Sequence, residues 1–150
     1  MDKLKELVYN HLNEIIDKKL SDAKEDVAIY KEGRDDNSKS TVGDKYETGR
    51  AMMQIELNKS NMRLSKIVDL KKELLRVKMD KKFDEVEFGS MVETDKGIYF
   101  ISIGLGIVEV QNHKIFCISL ASPIGRILIG KKTGETFSFQ SRKFTIKSIS

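Results

Sequence analysis

Tryptophan is absent from this chain of 150 residues, and proline and cysteine occur once each. The lone Cys117 lies within Ile115-Phe116-Cys117-Ile118, where apolar neighbours predict a buried strand thiol rather than a nucleophile. Only two histidines occur, His11 and His113. They are far apart and neither stands in a cluster of cysteines or carboxylates at ligand spacing, which argues against a zinc site. No stretch approaches the roughly 20 apolar residues of a membrane span. The start, Met1-Asp2-Lys3-Leu4-Lys5-Glu6, lacks the apolar core of a signal peptide, so a cytoplasmic protein is expected. There is no P-loop, no dinucleotide-type glycine fingerprint and no nucleophile elbow.

Charge of one sign is also scarce. With 27 Lys+Arg against 23 Asp+Glu the net charge is +4. Residues 1–80 carry 17 against 16, and residues 81–150 carry 10 against 7. So mild an excess does not demand phosphate-driven nucleic-acid binding, and basic and aromatic residues are not interleaved as in single-strand readers.

What is present divides near residue 81. Before it, Val8, Leu12, Ile16, Leu20, Ala23, Val27 and Tyr30 recur at spacings of three and four, as do Met53, Leu57, Ser60, Leu64, Ile67, Leu74 and Val77. Neither stripe buries itself, so residues 1–80 are expected to form an antiparallel helical hairpin with a coiled-coil seam. Helices of roughly 30 to 36 residues would make a rod of about 45 to 55 Å. The polar stretch from Gly33 to Gly43 is expected to be the turn, placing the tip near 33–47.

After residue 81 the pattern alternates. Strands are expected around 90–93, 97–103, 107–110, 114–119, 136–139 and 144–149, giving a small α+β domain with an antiparallel sheet. The aromatic residues Phe83, Phe88, Tyr99, Phe100, Phe116, Phe137, Phe139 and Phe144 supply its core. One short helix interrupts the strands at 122–129. Ser122 suits its N-cap, Pro123 its first turn, where a missing amide costs nothing, and Gly130 its end.

Two carboxylates three residues apart, Asp44 and Glu47, stand at the expected tip in Gly43-Asp44-Lys45-Tyr46-Glu47. As N-cap and N3 they make a capping box. Exposed at the end of a rod, they also suit delivery into another protein's cavity, where carboxylates hold a divalent metal and orient water. The two readings are compatible.

A hairpin with this acidic pair, followed by a sheet domain containing Ser122-Pro123-Ile124-Gly125-Arg126-Ile127-Leu128-Ile129-Gly130-Lys131-Lys132-Thr133-Gly134-Glu135, resembles the bacterial Gre transcript-cleavage factors over nearly its whole length. The resemblance implies an FKBP-like second domain that binds RNA polymerase at the rim of its secondary channel, here through Ser122, Pro123, Ile124 and Gly125. It also implies a coiled coil that carries Asp44 and Glu47 to the active site, where they help hold a Mg²⁺ ion shared with the polymerase and stimulate hydrolysis of backtracked RNA. Such a protein is an accessory factor rather than an enzyme, with no cofactor of its own. A monomer in indirect contact with nascent RNA is expected, with no membrane partner.

Where the family usually continues Asn-Ala-Glu-Tyr after the Glu, this chain has Thr48-Gly49-Arg50-Ala51-Met52-Met53. Arg50 is a candidate contact to polymerase acids or RNA phosphate. The altered tip opens a second reading, a regulator that occupies the channel without stimulating cleavage. A third reading is an FKBP-like prolyl isomerase or chaperone. The segment Gly-Asp-Lys-Tyr-Glu-Thr-Gly-Arg is also similar to short Bacteroidetes proteins labelled 3-oxoacyl carrier-protein synthase. That chemistry needs a cysteine nucleophile with paired histidines on a much larger scaffold, and the sequence argues against it.

Overall fold

The computed structural model describes residues 2–40 and 44–150, and side chains outside 37–46. Two long helices, α1 (Asp2–Ser40) and α2 (Asp44–Leu75), precede the strands β1 (Met91–Thr94), β2 (Gly97–Ile101), β3 (Gly106–Val110) and β4 (His113–Ile118). The short helix α3 (Pro123–Leu128) and the strands β5 (Thr136–Phe139) and β6 (Arg142–Ile149) follow. The chain divides into two compact units, Glu14–Lys71 and Met1–Asn13 with Lys72–Ser150. Both sequence halves thus have the expected α and β character, in an α+β protein.

Within the helical unit, cross-helix partners descend along α2 as they ascend along α1. Asp17 pairs with Lys71 at 2.7 Å, Asp26 with Arg63 at 3.6 Å, and the Arg34 guanidinium donates to Gln54 at 3.1 Å. That order makes the hairpin antiparallel. Ile16, Ala23, Leu57 and Ser60 are buried on the expected stripe, while Leu20, Val27, Tyr30 and Leu64 are half-buried.

The expected turn over 33–43 is corrected, because α1 stays helical through Gly33 and on to Ser40. Packing across the hairpin outweighs the polar composition. A Cβ on Gly33 would lie 3.2 Å from Met53 Sδ, and Arg34 bridges Asp35 and Gln54, both at 3.1 Å. Tertiary contact of this kind overrides the modest helix cost of glycine.

In the other unit the six strands run in the order β3-β4-β2-β1-β6-β5. The sheet is mixed rather than wholly antiparallel, since β2 and β4 pair in parallel, Ile98 opposite Ile115 and Ile101 opposite Ile118. The reason is topological: β3 crosses to the edge and returns through β4, which then lies beside β2 in the same direction. Two-residue turns with positive φ, Gln111-Asn112 and Gln140-Ser141, close the β3–β4 and β5–β6 hairpins. Positive φ at both central positions matches the right-handed twist of the flanking strands.

Alternation buries both sheet faces. Val92, Tyr99, Ile101 and Ile146 share one core with Ile124 and Leu128 of α3 and with Phe137 and Phe144, whose stacked rings lie 4.9 Å apart. Met91, Phe100, Ile115 and Cys117 point to the opposite face and are equally buried, in the unit that also holds the fully buried Val8, Leu12 and Leu74.

Candidate functional site

The helical tip is built by α2 from its first turn. Asp44 opens the helix and Glu47 follows one turn later, with an exposed side chain. Glu47, Arg50, Ala51 and Gln54 line a shallow depression of about 270 Å³, and Gln54 is anchored by Arg34 from α1. Arg50 is exposed beside Glu47. Gly43 and the Asp44 side chain lie outside the described residues, so the expected capping box does too. Among the described residues no three His, Cys, Asp or Glu side chains stand together as a metal site.

The second candidate segment surrounds α3. Ser122 is the N-cap: its Oγ accepts from the Gly125 amide at 3.0 Å and donates to the Ser119 carbonyl at 2.7 Å. Pro123 occupies the first turn, where it removes no helical hydrogen bond. Ile124 and Leu128 face the core. Gly125 is buried, and a Cβ there would stand 2.2 Å from the Ser119 carbonyl oxygen and 3.0 Å from Leu120 Cα, so no larger residue fits without moving backbone. Gly130 follows with φ +80°, the left-handed conformation that favours glycine.

Val86 fastens this end of α3. Its N–H donates to the Lys131 carbonyl and its carbonyl accepts from the Gly130 N–H, both at 2.8 Å. Of the four residues of this segment expected to meet a partner, Ser122 has its hydroxyl engaged within the chain, and Ile124 and Gly125 are buried. Pro123 is exposed, and Arg126 and Ile129 stand exposed next to it.

The charged residue that sequence reasoning missed is Lys5. It is only 3% exposed, its Nζ donates to the Ser150 carbonyl at 3.0 Å, and it lies 4.6 Å from the Phe83 ring centroid. Burial lowers its pKa, and the charge of Asp2 opposes that shift. The signal was its phase, three residues before Val8 and seven before Leu12 on the apolar stripe. Cys117 is the buried thiol expected, with its pKa pushed up to about 12 by desolvation, which leaves it inert as a nucleophile at neutral pH.

Residues 80–150 match the family described as "Transcription elongation factor, GreA/GreB, C-term". No curated protein matches the chain. Among solved structures, one titled "Structure of the transcription factor Gfh1" shares 18% identity, with 91% of each chain covered and a TM-score of 0.38. The match at 80–150 takes in the whole α3 segment, with its serine cap, its proline and its sterically required glycine, so the sheet-bearing part of this chain is similar to the C-terminal domain of the GreA/GreB elongation factors.

Proposed function

We propose that this protein is a transcription elongation factor that binds RNA polymerase and inserts its helical hairpin into the secondary channel. There Asp44 and Glu47 act on backtracked RNA. The observation that carries the reading is the GreA/GreB C-terminal domain at 80–150 on the same chain as an antiparallel hairpin whose second helix begins at Asp44 and exposes Glu47. Gre factors are accessory proteins. Two carboxylates supply at most part of a Mg²⁺ coordination shell, so the remaining ligands and the reacting RNA belong to the polymerase.

On the sheet side, the FKBP-like domain docks through Pro123, with Ser122, Ile124 and Gly125 fixing the backbone that presents it. We assign to Arg50, exposed near Glu47, a contact with phosphate or polymerase carboxylates. The departure after Glu47 supports a second reading, in which the protein occupies the channel without stimulating cleavage. An isomerase is not proposed, because Tyr99, Phe137 and Phe144 are committed to the core against α3.

The test is transcript cleavage in a backtracked elongation complex of the matching polymerase with Mg²⁺. Wild type should shorten the RNA, and the Asp44→Ala/Glu47→Ala double mutant should not, while still binding. Circular dichroism must accompany it, since loss of a helix cap costs about 0.5 to 2 kcal/mol. Full cleavage by the double mutant would overturn the metal-holding role. Binding without shortening by wild type would establish the channel-occupying regulator.

A further inference from the structure

A groove of about 560 Å³ opens in the sheet unit along the segment that leaves α2, lined by Leu75, Arg76, Lys78, Lys81, Phe83 and Phe88, with Glu87 at one side. The geometry points to a docking site there for an acidic protein segment carrying one large aliphatic anchor. It involves neither the helical tip nor α3 and goes beyond the proposed function.

Three features select that chemistry. The first is an apolar contact left open: Leu75, the last residue of α2, is 58% exposed, and Phe88 is half-buried. An exposed leucine alone is ordinary, but one set in a concave wall beside an aromatic ring offers an anchor position. The second is the charge around it. Arg76, Lys78 and Lys81 face Glu87 alone among the lining carboxylates. Lys81 pairs with Glu87 at 3.3 Å and Arg76 with Glu73 at 3.0 Å, exposed pairs that exchange readily for an incoming carboxylate. Lys78 is exposed and has no ion-pair partner among the described residues.

The third feature is preorganisation. Arg76 lies 5.4 Å from the Phe88 ring centroid and Lys81 5.0 Å from that of Phe83, so two of the cations are held against the wall. The wall itself is fixed: the Gly89 amide donates to Ile101 at 2.7 Å, and the Ser90 hydroxyl donates to the Glu87 carbonyl at 2.7 Å. A site whose donors are already placed loses less entropy on binding.

The same contacts disfavour nucleic acid. Single-strand readers offer open aromatic faces for bases. Here Arg76 covers a face of Phe88, and Lys5 and Lys81 lie over Phe83, which is itself buried. What stays available is an apolar contact ringed by cations, which suits carboxylates flanking an aliphatic side chain.

The experiment is an amide NMR titration of the full chain with a hexapeptide of four acidic residues around Leu-Gly. Its lysine-substituted and alanine-anchored versions serve as controls, with a ten-nucleotide single-stranded RNA as a competitor class. The expected result is saturable shifts centred on residues 75–88 with a Kd of roughly 10 µM to 1 mM, weakened by salt. Lys78→Glu and Leu75→Ser, both at exposed positions, should each weaken binding about five- to tenfold without changing the rest of the spectrum. No saturable shift up to about 5 mM peptide would overturn the proposal. So would equal binding of the alanine-anchored peptide, or the RNA producing the same shifts at 75–88 as tightly.

Discussion

The two units of this protein are held together differently. In the sheet unit the α3 segment is specified more than once. Ser122 caps α3, Gly125 leaves room for the Ser119 carbonyl, Gly130 takes the left-handed turn, and Val86 ties the helix end down with two backbone bonds. In the helical unit a narrow seam of Ile16, Ala23, Leu57 and Ser60 is flanked by exposed ion pairs. Burial of apolar surface contributes far more than exposed pairs, which add about 0 to 1 kcal/mol each. The part that bears α3 is therefore rigidly built, whereas the part that bears the acidic pair relies on a thin seam.

The sharpest way to break that contrast is Gly125→Ala. With a Cβ 2.2 Å from a carbonyl oxygen, it should destabilise the protein by about 3 kcal/mol or more, read from the urea midpoint. An unchanged midpoint would show that the Ser119–Gly125 turn yields easily and that the α3 segment is not over-specified.

A smaller effect probes the sheet unit alone by pH. Cys117 ionises near 9.0 when unfolded and near 12 in the sheet core, so its contribution is fully present below about pH 9 and is lost as pH rises toward 12. Lys5, its pKa lowered below 10.5 by burial, acts in the opposite direction in the same unit, stability rising with pH up to that value. Comparing urea midpoints of wild type and Cys117→Val at pH 8 and 10.5 isolates the thiol. The wild type should lose about 1 kcal/mol more per pH unit. Equal losses in the two proteins would remove Cys117 from the account.

The smallest change is expected in the helical seam. The Ser60 hydroxyl is buried without a hydrogen-bond partner among the described residues, so Ser60→Ala should stabilise the hairpin by up to about 1 kcal/mol, seen as slower amide exchange in α2. Faster exchange would mean that the hydroxyl supports the seam after all.

Much of this was legible in the sequence because it rests on local periodicity. Val8, Leu12 and Ile16 mark a helix face whatever they pack against, and alternation over 97–101 and 144–149 marks strands. Ser122, Pro123 and Gly130 were readable as helix punctuation for the same reason. The reach of α1 to Ser40 was hidden, since Gly33, Asp35, Asp36 and Asn37 are poor helix formers, and the packing of Gly33 close to Met53 and the Arg34–Gln54 hydrogen bond across the hairpin are not visible in local sequence.

The acidic pair was visible only as spacing. One turn separates Asp44 from Glu47 in any helix, but the exposure of Glu47 and its neighbourhood with Arg50 and Gln54 required the folded hairpin. In the sheet unit, the parallel pairing of β2 with β4 and the burial of Lys5 against Ser150 and Phe83 join residues distant in the chain. The sequence by itself determined the two-part organisation, the helical and extended stretches and the capped α3, because each follows from side-chain period or from backbone preference within a few residues. Tertiary structure alone decided the strand order, the buried lysine and the steric need for Gly125, because those depend on which distant backbone and side-chain atoms come to share the same space.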